Sequence, residues 1–243
     1  MRQQILKLII HIKKFIKDKS EKYNTKLPYL LSILLALIIV VAGIKIFLEL
    51  TESLQTKFLA QYDTKITDFI VSYRSPELNK IFQFFTNMGD IYGYLIVGFI
   101  CSLGFYLKFK NMRFVIQMVF VLGISGLSNL ALKQAINRPR PDVEHLVSVA
   151  TLSYPSGHAM SAISFYGFLI YLLYGFNMNK WIKWGIISLI SLLILTIGIS
   201  RIYLGVHFPS DIAGGFIAGL IWVSFCILIF NIIDLLRRKE AAV

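Results

Sequence analysis

The sequence predicts an all-α membrane protein, a six-transmembrane-helix bundle with an amphipathic helical segment between helices 1 and 2. Of its 243 residues, 56% are hydrophobic and 16% are charged, and the mean hydropathy is +0.68. A water-soluble domain of this length would need more polar surface. In lipid only helices and closed barrels pair all their backbone N–H and C=O groups, and the alternating pattern of barrel strands is absent. The apolar spans are therefore predicted to be helices.

Six spans with little or no charge are long enough to cross a bilayer. They are 27–44, 91–107, 114–132, 159–179, 184–200 and 212–233. A single membrane-embedded domain is predicted over 27–235, between a basic N-terminal segment, 1–26, and a tail, 236–243. The first segment is too long and too basic for an ordinary signal peptide, so span one is predicted to be an uncleaved helix.

The stretch 51–90 is the one long break between spans. Apolar residues recur in it at three- and four-residue steps, with charged residues between them, which predicts an amphipathic helix. These positions are Phe58, Tyr62, Ile66, Phe69, Ile70 and Tyr73. The helix either lies at the membrane surface or packs as a cap over the other loops. Both alternatives place it at the outer face.

The net charge of +12 is distributed as membrane topology predicts. Of the 25 Lys and Arg residues, 16 fall on one side of the six-span arrangement, in 1–26, 108–113, 180–183 and 237–239. That side is predicted to be cytoplasmic by the positive-inside tendency, and so are both termini. The charge is not interpreted as a nucleic-acid-binding surface. A multi-pass protein of the cell (inner) membrane is expected, and the sequence leaves its oligomeric state open.

Three polar clusters, at 133–141, 154–158 and 200–211, all fall on the opposite, outer side, although they were not used to assign the topology. A charge near bilayer depth costs about 2.5–3.5 kcal/mol, so such residues usually face a polar cavity. Lys133, Arg140 and Arg201 thus predict an anion-binding pocket on the periplasmic or extracellular face. Cys101 and Cys226 lie inside apolar spans and indicate neither a disulfide nor a metal cluster.

The residue types in these clusters indicate a chemistry. His207 and Asp211 are four residues apart, so the carboxylate can orient the imidazole as a nucleophile. His158 stands at a helix start, where it can donate a proton to a departing oxygen. Ser156 and Gly157 offer a hydroxyl and unobstructed backbone N–H groups to phosphate oxygens.

Each residue also has a simpler explanation when taken alone. Lys133 and Arg140 can be basic ends that reach toward the membrane surface, His158 can be a helix cap, and Asp211 can be the N-cap of span six. These explanations do not account for the gathering of all these residues on one face. The outer-loop residues Asp142, Glu144 and His145 either tune headgroup choice or belong to a solvated loop.

The pattern resembles the type 2 phosphatidic acid phosphatase superfamily, whose site is shared with the vanadium haloperoxidases. Its three motifs are Lys, six residues, Arg-Pro; Pro-Ser-Gly-His; and Ser-Arg, five residues, His, three residues, Asp. The matching positions are Lys133, Arg140 and Pro141; Pro155, Ser156, Gly157 and His158; and Ser200, Arg201, His207 and Asp211. The motifs and their spans cover about residues 91 to 235.

The resemblance implies that His207 attacks phosphorus to form a phosphohistidine, that Asp211 orients it, and that His158 protonates the leaving oxygen and then activates water. It implies phosphate binding by Lys133, Arg140 and Arg201, assisted by Ser156 and Gly157. No metal or other cofactor is required. The implied substrates are a phospholipid or a polyprenyl phosphate, drawn from the surrounding membrane lipids.

The expected function is therefore that of a membrane lipid phosphatase. The candidate substrates are phosphatidylglycerol phosphate, phosphatidic acid, undecaprenyl pyrophosphate and lipid A phosphates. One alternative is a phosphotransferase that passes the phosphate from the histidine to another lipid or sugar. A more remote alternative is an anion transporter, but transporter sites tend to lie near the midplane between repeats, and neither feature is present.

Overall fold

The computed structural model describes residues 27–110, 112–149 and 151–240, and the regular secondary structure of this part of the chain is α-helical. Its eight helices are α1 Leu27–Ser53, α2 Lys57–Val71, α3 Pro76–Met88, α4 Ile91–Phe109, α5 Arg113–Ile136, α6 Gly157–Gly175, α7 Lys180–Tyr203 and α8 Pro209–Glu240. The predicted basic segment 1–26 lies outside the described residues, as do 241–243 of the predicted tail.

Five helices are long and apolar enough to cross a membrane, namely α1, α5, α6, α7 and α8. The pair α3 and α4 is bent by 59° at a short break and supplies a sixth span if the two are taken together. The protein is thus a multi-pass membrane protein with five spans, or up to six, among its described residues. A helix is present at each of the six predicted spans.

Several helices extend beyond the apolar spans that predicted them. α5 runs to Ile136 and α7 to Tyr203, so Lys133 and Arg201 lie in their last turns. Both side chains are buried, at 6% and 5% exposure. A sequence criterion that stops a span at a charge therefore ends these two helices too early. The opposite error occurs in span four, where α6 ends at Gly175 and not at Asn179.

The segment between the first two spans contains two helices, of which α2 matches the predicted amphipathic one. Thr56 caps α2 and Ser75 caps α3, each through a side-chain oxygen that accepts a backbone N–H. The aromatic residues of α2 point outward, with Phe58 70% and Phe69 62% exposed, whereas Asp63 and Thr67 are buried. The side of α2 that carries Asp63, Thr67 and Ile70, and not its aromatic side, therefore packs on the protein.

The contacts divide the chain into two units. One is built from the described residues up to Ile39 and from Ser224 onward, and Ala36 and Cys226 are buried in it. The other, Val40–Val223, contains all the predicted site residues. Within this larger unit α6 is central, because it packs on α5 and α7 and contributes Phe165 to an aromatic core cluster.

Close packing between α6 and α8 depends on two glycines of α8 spaced four residues apart. A Cβ at Gly215 would lie 2.6 Å from the Ser156 carbonyl oxygen, and one at Gly219 would lie 2.5 Å from the Met160 carbonyl oxygen. Small residues with this spacing let helix backbones approach closely in membranes, where packing replaces the hydrophobic effect as the driving force. The glycines thereby hold the beginning of α8 against the beginning of α6.

We expect Gly215→Ala to destabilise the folded protein by about 1–3 kcal/mol, because the new methyl group meets backbone that cannot move alone. The measurement is thermal unfolding of purified protein in detergent. Gly126→Ala in α5 is the matched control, since nothing lies within 4 Å of its added Cβ. Equal melting temperatures for the two variants would contradict the packing described here.

Candidate active site

The three polar clusters come together at one end of the larger unit. The end of α5 carries Lys133, the beginning of α6 carries His158, the end of α7 carries Arg201, and the beginning of α8 carries Asp211. Four charged or titratable groups lie within electrostatic range of the His158 ring, namely Arg201, His207, Arg140 and Lys133. The structure thus brings segments that are far apart in sequence into one site.

His207 occupies the short connection between α7 and α8. Gly205 turns the chain there with φ of +79°, and a Cβ at this position would meet the Glu144 carbonyl oxygen at 2.6 Å. The backbone N–H of His207 donates to the Arg201 carbonyl oxygen at 3.2 Å. Its Nδ1 lies 3.4 Å from Asp211 Oδ2, and its Nε2 lies 3.4 Å from Arg140 Nη1. The ring therefore stands between a carboxylate and a guanidinium.

The His207 imidazole is neutral. Burial lowers its pKa to about 3, because desolvation disfavours the charged form more than Asp211 favours it, and the nearby Arg201 and Arg140 lower it further. The contact with Asp211 is accordingly a long hydrogen bond from a neutral ring and not an ion pair. With Nδ1–H directed at Asp211, the lone pair is on Nε2, which faces the Arg140 Nη1 donor at 3.4 Å.

This lowered pKa predicts a pH dependence of stability. An unfolded histidine titrates near pH 6.5, so between pH 6.5 and about 3 the unfolded chain binds a proton that folded His207 does not. Stability from this residue is therefore complete above pH 6.5 and falls by about 1 kcal/mol per pH unit on acidification. We expect the melting temperature of His207→Gln to fall less than that of the parental protein between pH 7 and pH 4. His145→Gln is the control, and parallel curves for all three proteins would contradict the assignment.

Asp211 is fully buried and accepts hydrogen bonds on both carboxylate oxygens. Arg138 Nη1 donates to Oδ1 at 2.6 Å, while Ser153 Oγ at 2.5 Å and the Phe208 N–H at 2.8 Å donate to Oδ2. These donors stabilise the ionised carboxylate and fix its orientation toward His207. Asp211 also accepts the Ser156 N–H on its backbone oxygen at 3.0 Å.

Two of the three predicted cations are bound to backbone carbonyls. Lys133 Nζ donates to the carbonyl oxygens of Leu152 and Ser153. Arg140 donates to the carbonyl oxygens of Val206 at 2.5 Å and Thr151 at 2.8 Å, and burial lowers its pKa from the ordinary arginine value. Both side chains therefore hold loop backbone beside His207.

Arg201 is paired differently. Its Nη1 donates to Thr86 Oγ1 of α3 at 2.6 Å, and its Nε is buried without a hydrogen-bond partner among the described residues. A buried N–H of a guanidinium without a partner is costly, and an anion in the site would satisfy it. This unpaired donor is available to an anionic ligand.

The Pro-Ser-Gly-His run forms the beginning of α6. Ser156 is the N-cap, and its Oγ accepts the Ala159 N–H at 3.5 Å. Because the Ser156 N–H binds the Asp211 carbonyl, it is not the unobstructed donor that the sequence suggested. Gly157 begins the helix, and the His158 ring follows beside Gly89, at the break between α3 and α4.

Sequence reasoning missed three residues that contact the predicted ones and a fourth that contacts one of these three. Arg138 and Ser153 bind Asp211, Thr86 binds Arg201, and Asp63 binds Arg138. Arg138 lies two residues before the predicted Arg140, so its position beside that motif could have indicated a role in the site. Asp63 and Thr86 carry no local signal, because their partners are distant in sequence.

A cleft of about 500 Å³ borders two of the cations. It is lined by Lys133 and Arg140, by Thr151 and Leu152 of the loop that precedes α6, and by Leu130 of α5. Leu130 is 53% exposed on a helix that is apolar enough to face lipid. The cleft therefore joins a lipid-facing surface to the cationic part of the site.

Known proteins resemble this chain in sequence and in structure. The family described as the PAP2 superfamily matches residues 114–233. Phosphatidylglycerophosphatase B of Bacillus subtilis (strain 168) is 34% identical over 179 residues, which cover 72% of this chain and 86% of that protein. Undecaprenyl-diphosphatase BcrC of the same organism is 28% identical over 176 residues, covering 69% and 81%.

A solved structure supports the same relationship. The crystal structure of the first transmembrane PAP2 type phosphatidylglycerolphosphate phosphatase from Bacillus subtilis aligns with a TM-score of 0.73 and 32% identity, covering 79% of this chain and 95% of that one. The fold and its relatives thus define the class of this protein, a membrane-embedded lipid phosphate hydrolase. The chain belongs to the PAP2 superfamily, which confirms the resemblance drawn from the three motifs.

Proposed function

We propose that this protein hydrolyses the phosphate monoester headgroup of a membrane phospholipid, with phosphatidylglycerol phosphate as its substrate, through a phosphohistidine at His207. The substrate assignment is supported by the 34% identity to a phosphatidylglycerophosphatase, against 28% to an undecaprenyl-diphosphatase. The observation that carries the mechanism is the buried, neutral imidazole between Asp211 and Arg140.

In the first step, Nε2 of His207 attacks phosphorus, and the bond from phosphorus to the lipid oxygen breaks. Protonated His158 gives its proton to that oxygen. In the second step, neutral His158 takes a proton from water, which attacks phosphorus and breaks the P–N bond. Free phosphate leaves, and His207 becomes neutral again. Asp211 stabilises the positive charge that develops on the His207 ring in the first step.

Phosphoryl transfer depends mainly on positioning and electrostatics. Lys133, Arg140 and Arg201 bind the three equatorial oxygens as their charge redistributes. The orphaned Nε of Arg201 supports this role directly. Gly157 N–H and the beginning of α6 add positive potential at the same place, and Ser156 orders that helix end.

The test is phosphate release by purified protein from phosphatidylglycerol phosphate, phosphatidic acid, undecaprenyl pyrophosphate and lipid A phosphate, with and without vanadate. We expect phosphatidylglycerol phosphate to be hydrolysed fastest and vanadate, which mimics pentavalent phosphorus, to inhibit. If undecaprenyl pyrophosphate is hydrolysed fastest, it replaces phosphatidylglycerol phosphate as the assigned substrate. Phosphorylated acceptor in place of free phosphate would favour the phosphotransferase. Folded protein that releases phosphate from none of them refutes the proposal.

We further propose that the site lies on the periplasmic or extracellular face of the cell membrane, with both termini cytoplasmic. The asymmetric distribution of Lys and Arg supports this orientation. The outward aromatic face of α2 then lies at the outer membrane surface. A membrane-impermeant thiol reagent should label Glu144→Cys in intact cells and Lys180→Cys only after permeabilisation, with both native cysteines replaced. The reverse pattern would invert the topology.

A further inference from the structure

Asp63 is a buried carboxylate that the mechanism above does not use. It belongs to α2, outside the three motifs, and is 2% exposed. Its Oδ2 accepts from Arg138 Nη2 at 2.7 Å and from Ser210 Oγ at 2.5 Å, and its Oδ1 accepts the Ser210 N–H at 3.0 Å. A buried carboxylate is stable only when other groups pair with it, so the contacts of Asp63 indicate which groups it positions.

Arg138 connects Asp63 to the active site. While Nη2 binds Asp63, Nη1 donates to Asp211 Oδ1 at 2.6 Å and to Ser210 Oγ at 2.7 Å. The guanidinium also lies over the Phe208 ring, with 4.6 Å between its carbon and the ring centroid. One planar group therefore joins two buried carboxylates, each through a different nitrogen.

Because the Arg138 guanidinium binds two carboxylates at once, its contact with Asp211 is restricted. Arginine and carboxylate tend to pair through two parallel hydrogen bonds, which would occupy both oxygens of Asp211. Because Asp63 occupies Nη2, Arg138 binds Asp211 through Oδ1 alone. Oδ2 then remains for His207 Nδ1, Ser153 and the Phe208 N–H.

We propose that Asp63 and Arg138 are positioning residues for catalysis: Asp63 holds Arg138 in a one-point contact with Asp211, which leaves the second carboxylate oxygen to orient His207. The proposal rests on the hydrolase mechanism given above. It makes α2, a helix outside the superfamily match at 114–233, part of the catalytic apparatus.

The first test compares Asp63→Asn with Asp68→Asn, which alters an exposed carboxylate on the same helix. We expect kcat of Asp63→Asn to fall by about tenfold to 10²-fold, since misplacing a catalytic group by about 1 Å has such an effect. KM should stay close to the parental value, because Asp63 does not contact the headgroup site. Asp68→Asn should behave as the parental protein. Parental kcat in folded Asp63→Asn overturns the proposal.

A double-mutant cycle separates positioning from general destabilisation. If Asp63 acts through Asp211, adding Asp63→Asn to Asp211→Asn should slow phosphoenzyme formation no further. A purely structural effect would reduce the rate by the same factor in both backgrounds, and that result overturns the proposal. The Arg138→Lys variant should not retain the parental kcat, because an ammonium cannot place two fixed N–H groups on two carboxylates. Full activity of Arg138→Lys would also overturn it.

If Asp63→Asn does not fold, Ser210→Ala replaces it in the same cycle. This change keeps both buried charges and removes only the hydroxyl shared by Asp63 and Arg138. A smaller fall in kcat is expected, again absent in the Asp211→Asn background, and equal falls in the two backgrounds contradict the proposal. The hydrolase assignment itself fails if the parental protein releases no phosphate. The positioning role alone fails if parental protein is active, His207→Ala is not, and Asp63→Asn matches Asp68→Asn.

Discussion

Replacement of His207 by alanine is expected to abolish phosphate release from every lipid that the parental protein hydrolyses. We propose the imidazole as the group that forms the bond to phosphorus, and no other described side chain is held both by Asp211 and against Arg140. Loss of a nucleophile removes the covalent route entirely, whereas loss of a binding group only weakens it. The measurement is phosphate release over a long incubation, together with trapping of the phosphoenzyme by an alkaline denaturing quench, because the P–N bond of a phosphohistidine is labile in acid.

His145→Ala is the matched control, because His145 lies in the outer loop and contacts the Pro141 carbonyl oxygen. It should retain both phosphate release and phosphoenzyme. Near-parental turnover by His207→Ala, in protein that unfolds at the parental temperature, would show that another group attacks phosphorus. The next variant to test for phosphoenzyme would then be His158→Ala, since His158 is the other imidazole proposed to act in the reaction.

The second large effect is expected at Arg201, where alanine should lower kcat by about 10²–10³, the usual cost of removing one preorganised donor to a transition-state oxygen. The Arg201 side chain is 5% exposed and has a buried Nε with no partner among the described residues, so this N–H can donate to a ligand oxygen. Arg201→Lys should recover little of the loss, because an ammonium cannot bind Thr86 and an anion with the same fixed geometry.

Lys80→Ala removes an equal charge from an exposed position of α3 and serves as the control. It should leave kcat unchanged, which excludes a long-range effect of net charge. If Arg201→Ala and Lys80→Ala have the same modest effect, Arg201 does not bind the reacting phosphoryl group. Rates should be compared at fixed ionic strength, since exposed charges are screened by salt.

Much of this architecture could be predicted because the membrane imposes simple requirements. Each apolar span must be a helix in lipid, and the motif cations stand where helices end. The convergence of Lys133, His158, Arg201 and Asp211 follows from alternating helix direction, which places these four ends on one side. What the spans could not reveal is that α5 and α7 continue through their cations, since the loops that bury them are a tertiary feature.

Asp63 shows where sequence reasoning ends. On an amphipathic helix the polar residues are expected to face water, and four charged residues of α2 alternate with its aromatic ones. The structure buries Asp63 and leaves Asp68 exposed, because only Asp63 meets Arg138 and Ser210. A helix is present where the pattern predicted one, but the side that packs inward is decided by partners more than seventy residues away.

The bend between α3 and α4 was missed for a related reason. The run from 91 to 107 predicted one span, and the thirteen residues of α3 were not recognised as a helix. Gly89 ends α3, and the Asp90 side chain then caps α4 by accepting the Ile91 N–H at 2.7 Å. A glycine followed by an N-cap residue is a usable signal for such a break, although it does not give the 59° angle.

The connection between α7 and α8 joins His207, the proposed nucleophile, to Arg201, a proposed phosphate ligand. The Arg201 carbonyl oxygen accepts the N–H groups of both Val206 and His207, at 3.1 and 3.2 Å. These main-chain bonds tie the backbone of Arg201 to that of His207 within seven consecutive residues, so their relative position is set locally and not by the packing of distant helices. Lipids of different chain length should therefore alter how often a headgroup arrives, while the chemical step keeps one intrinsic rate.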